Sequence, residues 1–394
     1  MSRLSVRILV HRIPIDIPVR TSFGTMLNRP SVLLRIEDED GHVGWGEVWC
    51  NYPAVGAEHR ARLLESVILP LASETGLLGE PARLWGVLSE RLRVLAIQTG
   101  ETGPISQCLA GLECALQDLA ARRRKLPLHR FLAAGSGNDV GVYASGINPS
   151  GAPETAARAI AAGYAGCKIK VGFDAALDRS NLHEARGAIG EGVPLMADAN
   201  QAWTIEEAVA FAADVREVGL TWLEEPIAHD EPDEYWMRLA AETGARLAAG
   251  ENFTSLADFA ALPARRALRY LQPDVGKWGG LGMALEVAGM ARAAGIAFCP
   301  HWLGGGVGLL ASLHVKAAAG AGEGFVEVDF NENPMRSRLT EDTFRTLSGG
   351  RLKLSPKAGI GECEAAVAEF DDCLVLRKDI LLNALPAGRE AVGD

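Results

Sequence analysis

The chain reads GCKIKVG at 166–172, PLMADAN at 194–200, TWLEEP at 221–226 and RLAAGEN at 246–252. Each of these short apolar runs ends in polar or charged residues. Ala-rich segments with helical spacing, such as TIEEAVAFAADVREVG, lie between them. This alternation of strand and helix patterns predicts parallel βαβ units, because consecutive parallel strands need a crossover connection, usually a helix.

The same pattern extends in both directions to give eight predicted strands. The other four are GVYASG (141–146), YLQPD (270–274), AFCPH (297–301) and GFVEVDF (324–330). Eight such units favour an α/β barrel of the modified TIM type, (β/α)7β-like, over an open sheet. A doubly wound sheet is the competing architecture, but no GxGxxG turn follows the first strand. No helix is obvious after the eighth strand, so the closing unit is expected to be irregular.

The region before the barrel has a different pattern. Strand patterns occur at 4–13, 31–39 and 42–48, the last two joined by a turn at Asp40-Gly41, and helical patterns follow at 59–72 and 105–125. The segment after the barrel is too short to fold alone. We therefore predict an α+β capping domain at 1–135, a catalytic barrel at 136–355, and a C-terminal segment at 356–394 that packs on the capping domain.

Composition and charge restrict the class of protein. The 394 residues are 48% apolar and 23% charged, as in ordinary globular chains. Lys and Arg number 39 against 50 Asp and Glu, and the net charge of −11 disfavours a nucleic-acid or anionic-membrane partner. The seven cysteines form no CxxC pair, and no signal-peptide or membrane-span pattern is found. These features predict free thiols in a cytoplasmic protein.

The carboxyl ends of the strands carry the candidate chemistry. In an α/β barrel these ends meet at one face, where the catalytic groups lie. A polar residue at one strand end is often only a helix N-cap, but ionisable groups at nearly every end favour a shared pocket. The candidates are Lys168, Lys170, Asp198, Asn200, Glu224, Glu225, Glu251, Asn252, Asp274, His301, Glu327 and Asp329.

Three of these ends carry carboxylates that suit a metal ion. Asp198, Glu224 and Glu251 would repel one another strongly unless a cation lay among them. Oxygen ligands suit Mg²⁺ or Mn²⁺ and not Zn²⁺, which prefers His and Cys. The alternative is a set of separate salt bridges to arginines of the barrel.

Two further pairs predict proton transfer. Lys168 and Lys170 lie on the same side of one strand. Near a divalent cation, each ammonium is expected to lower the pKa of the other, which makes one lysine a usable base near neutral pH. Asp274 and His301 end adjacent strands, and the carboxylate would fix the imidazole tautomer and leave the other nitrogen as a base. Glu327 is either a neutral acid that stabilises an enolate oxygen or a structural partner.

The chain resembles the enolase superfamily, and specifically its mandelate racemase-like subgroup, in the motifs KIK, ADAN, EEP, AGEN, QPDVGKWGG and PH and in Glu327. That superfamily is an established example of a Lys or His base acting with Mg²⁺ against an enediolate. The resemblance implies that Asp198, Glu224 and Glu251 bind Mg²⁺. It implies Lys170 as one base, His301 with Asp274 as the base on the opposite face, Lys168 as the contact to the substrate carboxylate and Glu327 as the electrophile.

Within the family, HWLGGGVGLLASLHVKAAA and FVEVDFNENPMR are similar to the galactarolactone cycloisomerase and acid-sugar dehydratase branch. Asp274 stands where relatives with a sixth-strand lysine base carry that lysine, which excludes the muconate lactonising and dipeptide epimerase pattern. SPKAGIGEC departs from the Pro-Gly-Leu-Gly run of relatives, away from the chemistry. The resemblance therefore implies proton abstraction α to a carboxylate followed by β-elimination, with racemisation or epimerisation as the alternative.

Two other function classes fit the sequence less well. A metal-dependent hydrolase on this barrel would be expected to carry HxH after the first strand, and GVYASG has none. A non-catalytic relative would be expected to lack a ligand or a base, and none is missing. The expected partner is a small-molecule carboxylate, and the resemblance implies a homo-oligomer, either a dimer or an octamer. Expected substrate contacts are Asn200, Phe23, Tyr52 and Trp302, although aromatic residues of the first lobe could equally pack the domain interface.

Overall fold

The computed structural model describes residues 3–21, 24–261, 267–320 and 322–383. The first part of the chain forms long antiparallel strands followed by helices. Its strands are β1 (Arg3–Thr21), β2 (Gly24–Asp38) and β3 (Val43–Val48). Its helices are α1 (Gly56–Leu63), α2 (Leu69–Glu74), α3 (Pro81–Thr99), α4 (Thr102–Arg123) and α5 (Leu128–Leu132), and a π-helical turn, Leu64–Ile68, joins α1 to α2.

The predicted turn between β2 and β3 is confirmed. Gly41 has φ +80°, a conformation that costs glycine little. The Asp38 carboxylate accepts hydrogen bonds from the backbone N–H groups of Asp40 (3.0 Å) and His42 (2.8 Å), which fixes the turn. Helix α4 packs closely on β3. The approach is so close that a side chain at Gly46 would collide with the backbone of Gly111.

Eight parallel strands follow, as the sequence predicts. They are β4 (Asp139–Ile147), β5 (Cys167–Lys170), β6 (Leu195–Asp198), β7 (Trp222–Glu224), β8 (Leu247–Ala249), β9 (Leu268–Leu271), β10 (Ala297–Phe298) and β11 (Val326–Asp329). Their order in the sheet is β10-β9-β8-β7-β6-β5-β4-β11. The N–H of Glu327 donates to the carbonyl of Pro300 (3.1 Å), which joins the two ends of the sheet and completes a barrel.

A helix follows each strand of the barrel. These helices are α6 (Ala152–Ala161), α7 (Ala175–Ile189), α8 (Ile205–Asp214), α9 (Asp233–Thr243), α10 (Leu256–Ala260), α11 (Gly280–Ala293), α12 (Gly306–Ala319) and α13 (Pro334–Phe344), and a 3₁₀ turn, Arg216–Val218, follows α8. The expectation of an irregular closing unit is wrong, because α13 is regular. The helix could not be recognised in the sequence, because the buried polar residues Arg336 and Thr340 interrupt the apolar pattern. The Asn333 side chain caps it by accepting from the N–H of Arg336 (3.1 Å).

The last part of the chain returns to the first lobe. It forms β12 (Arg351–Lys353), α14 (Glu364–Ala368), a 3₁₀ turn at Asp371–Cys373 and β13 (Leu374–Asn383). Strand β13 pairs with β1, so the cap sheet has the order β13-β1-β2-β3, whereas β12 pairs with β4 of the barrel. The domain boundaries at 135 and 355 stay a prediction. All seven cysteines are free, and within the described ranges no helix is long and apolar enough to cross a membrane.

Candidate active site at the mouth of the barrel

The register of three neighbouring strands places charged side chains at one level. Lys170 on β5 lies beside Asp198 on β6, which lies beside Glu224 on β7. Below them the barrel interior is filled by Tyr143, Met196, Trp222 and Ala248. The site therefore stands on an apolar floor that excludes water, so its charges interact more strongly than they would in solvent.

The two lysines of KIK share one carboxylate. Lys168, which is 0% exposed, places Nζ 3.4 Å from Asp198 Oδ2 and 3.0 Å from Glu327 Oε1, and it also pairs with Glu224. Lys170 Nζ lies 2.6 Å from Asp198 Oδ2 and 2.7 Å from Asn200 Oδ1. The prediction that the two side chains point to the same side of the strand is thus confirmed.

The predicted fall in the pKa of the lysines applies to a site that holds a divalent cation and stays a prediction; without that cation, the pKa of each lysine is raised. Burial disfavours both ammonium groups, and Lys168 does lower the pKa of Lys170, but the carboxylates outweigh both effects. Glu224 and Glu327 raise the pKa of Lys168 well above its ordinary value, and Asp198 raises the pKa of Lys170. The contact with Asp198 therefore stabilises the ammonium form of Lys170 in this arrangement.

A fourth carboxylate joins the three that the sequence singled out. Glu225, one residue after Glu224, has φ +36° and accepts from Asn252 Nδ2 (2.9 Å) and Gln201 Nε2 (3.0 Å). Burial, and then the charge of Asp198, raise the pKa of Glu224 to about 8; burial and the charge of Glu251 raise the pKa of Glu225 to about 7. Four carboxylates so close together favour a bound cation.

The donor set fits Mg²⁺ by its chemistry. Asp198, Glu224 and Glu251 are buried and offer only hard oxygen atoms. Their side chains contact the lysines and His301, and no choice of one oxygen from each brings all three within 4.8 Å of one another. Among the described residues, the acidic group that does meet this distance is Asp38, Asp40 and His42 at the exposed β2–β3 turn, where Asp38 is already bonded to the turn backbone.

Asp274 and His301 are in contact. A parallel bridge links the two residues, and His301 Nδ1 lies 2.6 Å from Asp274 Oδ2. His301 Nε2 lies 2.6 Å from Glu251 Oε2, a contact that the sequence did not predict. Burial disfavours the charged imidazole, but Glu251 and Glu327 outweigh it and raise the pKa of His301 to about 10. The structure therefore joins the predicted base to a predicted metal ligand.

Glu327 is charged in this setting. It accepts a hydrogen bond from Ser145 Oγ at Oε1, and Lys168 lies beside the same atom. Burial raises its pKa, but Lys168 and His301 outweigh burial, and the pKa is lowered. A neutral Glu327 is therefore not supported. Its Oε2 is buried without a hydrogen-bond partner among the described residues, 3.8 Å from His301 Nε2.

A third lysine reaches the same carboxylates. Lys277 Nζ lies 3.4 Å from Glu251 Oε1, 3.4 Å from Asn252 Oδ1 and 5.2 Å from the ring of Trp49 in the cap. Lys277 lies in the loop after β9 and is not among the site residues predicted from the sequence. Its place three residues after Asp274 was the signal that could have identified it.

The four residues predicted to contact the substrate lie in different parts of the molecule. Asn200 is in the site, where it accepts from Lys170. Tyr52 is half-buried in the cap, against Gly24. Trp302 is only 1% exposed and its Nε1 donates to the Gly305 carbonyl (2.8 Å), so it packs in the core, and its predicted substrate contact stays a prediction. Phe23 lies outside the described residues.

Comparison with known proteins finds two family models and close structural relatives. Residues 3–133 match “Mandelate racemase / muconate lactonizing enzyme, N-terminal domain”, and residues 152–362 match “Enolase C-terminal domain-like”. D-galactarolactone cycloisomerase of Agrobacterium fabrum is 28% identical over 94% of this chain and 98% of its own. A mandelate racemase/muconate lactonizing enzyme structure from Bordetella bronchiseptica is 46% identical, with a TM-score of 0.83 over 92% of this chain and 98% of that one. L-talarate dehydratase of Polaromonas sp. JS666, solved with Mg and L-glucarate, is 25% identical, with a TM-score of 0.74 over 96% and 99%.

Proposed function

This chain is an enzyme of the enolase superfamily, in its mandelate racemase-like subgroup, and from that premise we propose that it removes the proton α to the carboxylate of a sugar acid or sugar lactone in a Mg²⁺-dependent reaction. The enediolate then loses an oxygen from the β-carbon. A hydroxyl leaving group makes the reaction a dehydration, and a ring oxygen makes it a cycloisomerisation. Relatives named as a cycloisomerase and as a dehydratase support this choice.

The observation that carries the proposal is that the two candidate bases lie on opposite walls of the site. The lysine wall is formed by Lys168 and Lys170 on β5, and the histidine wall is formed by Asp274 and His301 after β9 and β10. Lys170 is held on β5 by Asp198 and Asn200. His301 follows β10, held by Asp274 and Glu251, and strands β6 to β9 separate β10 from β5 in the sheet. A substrate carbon between the two walls would meet one base on each face.

Asp198, Glu224 and Glu251 would hold the Mg²⁺, whose charge stabilises the negative oxygens of an enediolate. The chain itself sets the proton chemistry. Asp274 retains the proton on Nδ1 of His301, so Nε2 is the nitrogen that exchanges a proton with the substrate. The base that does not take the α-proton would protonate the leaving oxygen. Lys168, held by Glu327 at 3.0 Å on the apolar floor, would orient the substrate carboxylate and stabilise the negative charge that develops on it.

Racemisation or epimerisation is the second candidate, since two bases on different faces also allow reprotonation from either side. The same Lys170 and His301 geometry supports it. The fate of the β-oxygen distinguishes the two reactions: elimination gives a 2-keto acid or a ring-opened product, and racemisation gives back the substrate with one centre inverted.

The test is a library of sugar acids and sugar lactones with MgCl₂, assayed for 2-keto acids, ring opening and optical rotation. His301→Asn and Lys170→Ala serve as matched negative controls for contaminating activity. We expect Mg²⁺-dependent elimination from at least one acid sugar, absent from both variants. Turnover that persists after exhaustive chelation would exclude the proposal. The small carboxylate is the proposed partner, and homo-oligomerisation stays a prediction.

A further inference from the structure

Two buried glutamates of the cap make hydrogen bonds to the barrel that the proposed chemistry does not use. Glu47 is the penultimate residue of β3, and its Oε1 accepts from the N–H of Gly305 (2.6 Å) while Oε2 accepts from the N–H of Gly308 (2.9 Å). Glu113 on α4 accepts at Oε2 from the N–H of Leu281 (2.8 Å) and at Oε1 from the N–H of Gly282 (3.2 Å). The two side chains are 4% and 2% exposed.

Both glutamates bind the N-terminus of a barrel helix that has no cap of its own. Helix α12 begins after Gly305 and α11 begins after Gly279, and glycine offers no side chain to the free N–H groups of a first turn. The cap carboxylates supply what the barrel sequence lacks. The glycines also make the room: a Cβ on Gly280 would lie 2.5 Å from Glu113 Oε2, and a Cβ on Gly305 would collide with Glu47.

The charge of these glutamates depends on the helices that they cap. Burial raises the pKa of Glu47 to about 7 and the pKa of Glu113 to about 6. The backbone N–H groups of α12 and α11 act in the opposite direction by favouring the carboxylate form. Since the protein buries two costly carboxylates here, the contacts are specific hydrogen bonds and not simple packing.

The two capped helices begin a few residues after Asp274 and His301, the residues of the proposed imidazole base. Asp274 Oδ1 accepts from the N–H of Gly276 (2.8 Å), in the loop that continues into α11. His301 precedes Trp302, whose Nε1 donates to the carbonyl of Gly305 (2.8 Å), the residue whose N–H binds Glu47. The Trp302 ring fills the space between the two loops, since a Cβ on Gly276 would collide with it.

We propose that Glu47 and Glu113 are positioning residues that hold the loops of Asp274 and His301 from the cap and thereby maintain the 2.6 Å contact between them. The cap then takes part in building the histidine wall of the site. The catalytic consequence rests on the proposed function, whereas the geometric claim does not.

The test uses the full chain with ¹⁵N-labelled histidine and follows the Nδ1–H resonance of His301. His301→Asn assigns the signal, and Asp274→Asn gives the reference for a broken contact. Glu47→Gln and Glu113→Gln each replace one accepting oxygen with an N–H donor, so one backbone N–H of the helix loses its acceptor. We expect the His301 signal to move toward its Asp274→Asn position in both variants.

The matched control is Asp118→Asn on the same helix as Glu113. Asp118 is also a buried carboxylate that accepts from two backbone N–H groups, those of Trp45 (2.8 Å) and Ile360 (2.6 Å), but neither lies on the loops of Asp274 and His301. This variant should lower Tm without moving the His301 signal. Glu47→Asp, which keeps the charge and shortens the side chain, gives a milder second variant, for which we expect a smaller shift in the same direction.

An unmoved His301 signal in folded Glu47→Gln and Glu113→Gln would overturn the proposal, and so would an equal shift in Asp118→Asn. With a substrate in hand, both Glu→Gln variants should lower kcat about 10- to 100-fold and leave KM nearly unchanged, because they displace a base and not a binding group. The NMR result needs no substrate, so failure of the proposed reaction and failure of the positioning claim are distinguishable.

Discussion

The two walls of the site are built in different ways. Lys168 and Lys170 stand on one short strand, and their neighbours Asp198 and Glu224 stand on the next two strands at the same level. Strand register alone therefore positions the lysine wall. Asp274 and His301 lie beyond the ends of β9 and β10, on loops that lead into helices. The N-terminal N–H groups of these helices donate to carboxylates of the cap.

This difference shows what each wall depends on. The lysine wall is complete within the barrel sheet, and a change in the cap leaves its register intact. The histidine wall needs both lobes, so its geometry responds to the way in which they dock. The carboxylates Asp198, Glu224 and Glu251 lie between the walls and contact both, through Lys170 on one side and His301 on the other.

The largest effect is expected where both walls meet. Asp198→Asn, Glu224→Gln and Glu251→Gln should each lower kcat by about 10³-fold or more while the fold persists, because each removes a proposed Mg²⁺ ligand. Activity assays with far-UV circular dichroism measure both properties. Glu225→Gln is the matched control, and a loss as large as that of Glu224→Gln would show that the neighbouring glutamate had been given the wrong role.

The histidine wall should behave as one unit. Asp274→Asn should impair catalysis nearly as much as His301→Asn, about 10²- to 10³-fold, since the imidazole loses the carboxylate that orients it. The double variant should be little worse than either single variant. If the two losses instead multiply in a double-mutant cycle, the two residues act independently.

A smaller effect concerns a second contact between cap and barrel on α12. His314 Nδ1 accepts from the N–H of His129 on α5 (3.0 Å), and Nε2 lies 3.0 Å from the Ile360 carbonyl, so Nδ1 has no room for a proton. Burial lowers the pKa of His314 to about 3. The unfolded chain, with a pKa near 6.5, therefore binds more protons between these values, and stability falls as pH decreases below 6.5.

From pH 7 to pH 5 this histidine alone should lower the free energy of unfolding by about 2 kcal/mol. Urea unfolding of the wild type and of His314→Asn at both pH values measures the difference. The variant should show a correspondingly weaker pH dependence. Equal slopes in the two proteins would mean that His314 has the same pKa in the folded and the unfolded chain.

Much of the fold could be predicted from periodicity, because nearly every barrel strand is an apolar run that ends in an ionisable residue. Helix α13 could not, since Arg336 and Thr340 are buried through their hydrogen bonds and give no apolar signal. The residues at the strand ends could likewise be predicted to converge. Their pairing could not, because the contact of His301 with Glu251 and the raised lysine pKa depend on distances that no spacing encodes.

Trp302 shows the limit most clearly. An aromatic residue directly after a candidate base suggested a substrate contact, yet its ring lies among Gly276, Gly304 and Gly308. These glycines leave room for the indole ring, and nothing in their spacing along the chain indicates that they do so. The contact of Glu47 could not be predicted either, because its partner is the backbone of another lobe.

The most direct measurement is turnover in deuterium oxide with Mg²⁺ and the substrate found by the library, for wild type, Lys170→Ala and His301→Asn. Elimination predicts a 2-keto acid that carries deuterium at carbon 3, with one base responsible for removing the α-proton. The account also predicts little isomerised substrate. Recovery of substrate with inverted configuration and deuterium at carbon 2, with no keto acid from any of the three proteins, would contradict it and establish racemisation instead.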